Sequence, residues 1–114
     1  MPVSQAYYNR VGRSVFRALG SLVQQVSLEH KATAMETPTT HTPRGMVWQP
    51  RVESLAVTPL VAETATRQLL TADITFIPNH YDTWTQASGA AWRVARIRGG
   101  PGWPFWWLES QRVA

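Results

Sequence analysis

The run Gly99–Gly100–Pro101–Gly102 followed by Trp103–Pro104–Phe105–Trp106–Trp107–Leu108 constrains this chain more than any other stretch. Three glycines and a proline in four residues form a turn that needs positive φ. An extended strand after it puts Trp103, Phe105 and Trp107 on one face and Trp106 and Leu108 on the other. Both faces are apolar. One can serve the domain's own core, while the other needs cover from a helix, a loop or another subunit. Before the turn, Ala91 to Arg98 reads as a strand with Trp92 and Val94 on one face and Arg93 and Ala95 on the other.

The same periodicity extends this β character upstream. Ile74–Thr75–Phe76–Ile77 is expected to form a short strand that Pro78 ends, followed by a polar connection, Asn79 to Gly89, with its turn at Ser88–Gly89. Met46 to Glu63 has extended character interrupted by Pro50 and Pro59, which points to an edge strand or a bulge. Ala62 to Leu70 is open between a helical turn and an extended arm. The threonine- and proline-rich stretch Ala32 to Gly45 is expected to be a long loop.

The N-terminus has a different period. Tyr8, Val11, Val15, Leu19, Leu22 and Val26 recur at spacings of three and four, which predicts a helix with that apolar face. Ser4 is its candidate N-cap and Gly20 its candidate C-cap, with Gly12 a weak point inside it. After Gly20 two readings compete: the helix continues to about Glu29, or, the preferred reading, it stops and Gln24 to Lys31 forms a strand in which Val26 and Leu28 alternate with polar residues. The fold class is therefore mainly β: a small barrel or sandwich with an N-terminal helix and long extended loops. The 114 residues make one domain, with the helix over 1–20 and the barrel over 21–114, including a long loop at 32–45.

Composition narrows the function. With 44% hydrophobic and only 16% charged residues, the chain is not of the disordered class. It has no cysteine, so no disulfide framework or thiolate metal site. No apolar run reaches the roughly 18 residues that span a bilayer, and the first 20 residues carry Arg10, Arg13 and Arg17 rather than a signal-like core. His30, His41 and His80 are scattered without metal-ligand spacing, and no nucleophile motif or carboxylate pair stands out. A non-enzyme with no cofactor or metal is expected. Six tryptophans and ten arginines among eleven basic residues are the types enriched where proteins meet proteins. Trp103, Phe105, Trp106 and Trp107, with the basic helix face Arg10, Arg13 and Arg17, are the candidate subunit or partner interface.

The order of parts adds a resemblance. Asp82, Gly89, Trp92, Val94 and Ile97 fill an Asp…Gly-x-x-Trp-x-Val-x-x-Val type of pattern, with Ile97 at the last position, within the order helix, strand, Thr/Pro loop, strands and Gly–Pro–Gly turn. In this the chain resembles the head-closure (stopper) and related head–tail joining proteins of tailed bacteriophages. The layout covers most of the chain and the motif about a fifth. The Trp-rich last strand and Pro-rich middle depart from the pattern. The resemblance implies a ring of copies in the virion neck, assembled in the host cytoplasm. Portal or adaptor proteins would lie on one side and tail proteins on the other, with packaged double-stranded DNA held non-specifically in the channel. It makes Thr39, Thr40, His41 and Arg44 the candidate channel-facing loop, with Asn79–Gln86 as the other candidate. Extended arms such as Thr33–Gly45 would wrap a neighbour. Alternatives are another neck or tail-completion protein, a small nucleic-acid-binding barrel, or an enzyme accessory domain.

Overall fold

In the computed structural model, residues 4–54 and 61–113 are described, with side-chain statements confined to 4–47 and 63–113. The expected break at Pro59 lies outside them. Helix α1 spans Gln5–Leu19; Ser4 caps it by accepting from the Tyr7 N–H, and Gly20 ends it at φ 58°. A single 3₁₀ turn, Gly20–Leu22, leads into the sheet. The strands are β1 (Gln24–Gln25), β2 (Ser27–His30), β3 (Thr39–His41), β4 (Arg44–Ser54), β5 (Val61–Leu70), β6 (Thr83–Thr85), β7 (Ala91–Gly99) and β8 (Phe105–Arg112).

All pairings are antiparallel, in the order β1-β4-β5-β8-β7-β6-β2-β3. The two ends of this order are a single hairpin. β1 and β2 are separated only by Val26, and β3 and β4 only by Thr42 and Pro43. Gln24 faces Gly45, Gln25 faces Arg44, Leu28 faces His41 and His30 faces Thr39, so one register runs through both halves. The Val26 N–H donates to the Pro43 carbonyl at 3.2 Å and bridges the break. Proline has no N–H to return, which accounts for the interruption. The lower half of this hairpin pairs with β5 through β4, and the upper half with β6. The sheet thereby curls round on itself like a barrel.

Alternation decides the core. Leu28, Ala65, Leu69, Trp84, Trp92, Val94, Trp106 and Leu108 point inward and are buried together. Trp84 and Trp92, opposite each other on β6 and β7, stack at 5.3 Å and 12°. Their indole N–H groups donate to Ser110 Oγ at 2.8 Å and Gln86 Oε1 at 3.2 Å, so neither large ring buries an unpaired donor. A second, smaller cluster forms on the outside, where Phe16 of α1 packs on Leu70 and Phe105. Its rings lie 5.2 Å apart.

Four expectations change. The helix buries Gly12 and Phe16, not a stripe through Val15 and Leu22, which are both exposed. Gly12 packs tightly: a Cβ there would stand 2.8 Å from Leu70 Cδ2 and 3.0 Å from the Pro104 carbonyl. The loop expected over 32–45 is confined to 31–38, because Thr39–His41 and Arg44 onward are paired in strands. Of the stretch read as a wrapping arm, Thr39–His41 and Arg44–Gly45 pair within their own chain, while residues 33–38 stay a loop. Ile74–Ile77 is no strand: Ile74 is buried and Ile77 exposed, but the segment lacks ladder partners. The place beside β2 and β7 is taken by β6, from the stretch read as a polar connection. The open reading of Ala62 to Leu70 resolves to strand β5, and the register shift between Trp48 and Arg51 marks the bulge that Pro50 foretold.

Candidate functional site

The glycine turn does what its composition demands. Gly99, Gly100 and Gly102 have φ of 86°, 100° and 89°. A Cβ on Gly100 would meet the Trp106 ring at 2.5 Å. The Gly100 N–H donates to the Phe105 carbonyl, and the Trp103 N–H to the Gly100 carbonyl. The turn therefore lies flat on Trp106 and swings Trp103 outward.

The four aromatics predicted as an interface separate by strand parity. Trp106 faces the barrel interior and is buried there. Phe105 faces outward but lies under Phe16 of α1. Both serve this chain's own packing, which corrects their assignment to the interface. Trp107 is half-buried at the margin of the helix, edge-on to Phe105 at 6.0 Å. Trp103 is 62% exposed. With Arg98 and Gly99, these two tryptophans line an open cleft of about 430 Å³. Arg98 also pairs with Glu109 at 2.8 Å, and Arg96 approaches the same carboxylate at 3.9 Å. Helix α1 thus covers Phe105 at the start of β8, while Trp103 just before it stays exposed.

The basic residues form a second feature that sequence spacing did not join. Arg13 and Arg17 lie on the exposed side of α1, and Arg44 opens β4. The fold brings them around one groove of about 420 Å³ whose apolar lining is Phe16, Val23 and Leu70. Arg44 is held at its rim by Asp73, whose Oδ2 accepts from the Arg44 backbone N–H at 3.2 Å and lies 3.5 Å from its Nε. Arg10 is exposed but not among the lining residues. Arg44, a candidate channel-facing residue, thus lies beside the helix arginines. Of the other predicted loop residues, Thr39 and Thr40 are exposed in β3. His41 is half-buried, with its ring 4.4 Å from Phe76 and its Nε2 3.0 Å from Thr39 Oγ1.

A buried polar knot explains the residues that carried the resemblance. Asp82 is fully buried. It accepts from His30 Nδ1 at 2.9 Å, the Lys31 N–H at 3.0 Å and the Asn79 N–H at 3.1 Å. Its own backbone carbonyl accepts from the Val94 N–H at 3.0 Å. His30 also stacks on Phe76 at 4.0 Å and 20°. Asp82 thus fastens the top of the hairpin to β7, Gly89 makes the β6–β7 turn at φ 95°, and Trp92 and Val94 fill the core. The 51-residue separation of Asp82 from Lys31 hid this knot from sequence spacing.

One core residue runs against the trend. Arg67 is fully buried on the inner face of β5. Its Nη2 donates to the Gln24 carbonyl at 2.8 Å, and its guanidinium lies 5.8 Å from the Trp84 ring centre. Among the described residues, its Nε and Nη1 have no partner. Burial lowers its pKa to about 10.

Among the described residues, no group of three or more His, Asp or Glu side chains comes together as a metal cradle, and no helix is long and apolar enough to cross a membrane. No protein-family model and no curated protein matches this sequence.

Proposed function

We propose that this chain is a structural component of a tailed-phage neck. In that reading it forms a ring between portal or adaptor and tail, helps retain the packaged genome and presents a surface for the tail. The observation that carries the reading is the outer face of β8. There α1 covers Phe105, while Trp103 stands 62% exposed beside Arg98 in a cleft that half-buried Trp107 also lines. A small curled sheet with one helix on its outside and an uncovered tryptophan–arginine surface is suited to packing against other subunits. Cryo-electron microscopy of the native particle tests the reading. A ring of this chain on the axis between capsid and tail is the expected result, and a position off that axis refutes it.

A second reading, a barrel that binds single-stranded nucleic acid, is favoured by one observation. Exposed Arg93, Arg96 and Arg98 run along β7 toward the cleft that holds Trp103. Tight, strongly salt-dependent binding of short oligonucleotides by the isolated chain would select it over the neck role.

A further inference from the structure

Among the described residues one large apolar side chain is more exposed than any other. Met35 is 96% exposed at the tip of the loop over residues 31–38. Exposed Glu36 stands beside it. The tip is shaped: the Glu36 N–H donates to the Thr33 carbonyl at 3.2 Å, and Glu36 Oε2 accepts from the Ala32 N–H at 2.6 Å. A flexible thioether next to a carboxylate is an anchor and a charge on one short projection.

The groove beneath α1 has the complementary chemistry. It presents Phe16, Val23 and Leu70 as an apolar lining, with Arg13, Arg17 and Arg44 around it and Asp73 as the carboxylate bonded at its rim. A bare phosphate chain has no use for an apolar floor, whereas a methionine flanked by a glutamate uses both parts. The tip and the groove lie at opposite ends of the Gln24–His30/Thr39–Gly45 hairpin. That hairpin holds them about 20 Å apart at the rise of an extended strand. Eight loop residues doubled back reach only about 13 Å. The tip therefore cannot fill the groove of its own chain.

We infer that the Met35–Glu36 loop tip of one copy seats in the Arg13–Arg17–Arg44 groove of a second copy of this chain, making a head-to-tail contact. Such a contact joins two different patches, and repeated copies close into a ring when the rotation between them allows it. The inference rests on the ring-forming reading and deepens it by naming the surfaces. Met35 supplies the apolar anchor, and Glu36 is attracted by the arginines and fixes the orientation.

These 114 residues include no cysteine, so an introduced thiol is unique among them. Met35→Cys and Val23→Cys are made separately, and oxidative cross-linking is followed for each alone and for the mixture. The mixture is expected to cross-link at least about tenfold faster than either variant alone, because docking raises the local thiol concentration. Equally fast Met35→Cys homodimers would reveal a symmetric contact and overturn the inference. Charge exchange supplies an independent check by sedimentation velocity. Glu36→Arg and Arg17→Glu should each weaken self-association by at least about tenfold, and mixing them should restore it. If the wild-type chain associates but neither cross-linking nor charge exchange touches that association, this contact is wrong and the ring reading stands on another surface. A mass that stays at one chain at every concentration removes both. Double-stranded DNA captured by the chain and released by Arg13→Glu and Arg17→Glu would show phosphates in the groove, which also overturns the inference.

Discussion

Replacing Gly12 by alanine separates the helix as a sequence from the helix as a packed element. In an exposed helix interior, glycine to alanine stabilises by about 1 kcal/mol, because alanine loses less backbone entropy on folding. Here the new Cβ would stand 2.8 Å from Leu70 Cδ2 and 3.0 Å from the Pro104 carbonyl. Leu70 is itself buried between Phe16 and Phe105, so its methyl cannot simply swing away. The Pro104 carbonyl is held by a 3.1 Å bond from the Thr71 N–H. Overpacking of this kind costs about 1–3 kcal/mol, which exceeds the propensity gain. A net loss of about 1 kcal/mol is expected in urea unfolding followed by tryptophan fluorescence. Leu70→Ala supplies the control. It is destabilising alone, by about 2–5 kcal/mol, but it vacates the space the methyl needs. In that background Gly12→Ala should turn neutral or stabilising, a coupling of about 1 kcal/mol or more. If Gly12→Ala stabilises the wild-type chain by the full propensity increment, α1 does not sit on β5 and the turn before β8 as described.

Three further outcomes follow from particular side chains. Arg67→Met removes a buried guanidinium whose pKa of about 10 corresponds to a charging penalty of about 3 kcal/mol below that pH, offset by one charge-assisted hydrogen bond and the Trp84 contact. Stability at pH 7 should be unchanged or raised by up to about 2 kcal/mol; a loss larger than that would show Nε and Nη1 to be well satisfied. The pH dependence has a definite sign. The unfolded chain keeps this proton to a higher pH than the folded one, so wild-type stability should rise as pH climbs above about 10, and the advantage of methionine should shrink there, as read by isothermal denaturation at stepped pH. Asp82→Asn sets an amide among the three N–H donors that Asp82 now accepts from, and should cost about 2–3 kcal/mol with loss of amide-exchange protection at Lys31 and Val94; full protection in the variant would make the knot dispensable. Gly100→Ala combines φ of 100° with a 2.5 Å approach to the Trp106 ring and should lower the melting midpoint by several degrees, a shift that alanine at Gly89, with nothing within 4 Å, should produce only through its backbone strain.

Sequence periodicity alone determined a good part of this molecule. Ser4 and Gly20 bound α1, Val26 and Leu28 alternate into the core, Trp92 and Val94 face inward, and the glycine-rich turn before β8 takes the positive φ that only glycine adopts cheaply. These are local matters: each depends on a residue and its neighbours within a few positions. Which face of α1 is buried was not local. Phe16 and Gly12 won over Val15 and Leu22 because Leu70 and Phe105, over 50 residues downstream, offered a site that a small residue and an aromatic ring could fill. Strand pairing was equally out of reach. Extended segments advertise themselves, but the choice of β6 over Ile74–Ile77 beside β2 is made by the Asp82 knot and the Trp84–Trp92 stack. Parity told that β8 is apolar on both sides; only the position of the helix decided that Phe105 is covered and Trp103 is not. Likewise the arginines of α1 and Arg44 are unrelated in sequence and meet because the hairpin that closes the barrel brings the start of β4 under the end of the helix. Local conformation follows from local chemistry, whereas a surface is assembled from residues whose proximity exists only after the chain has chosen its long-range partners.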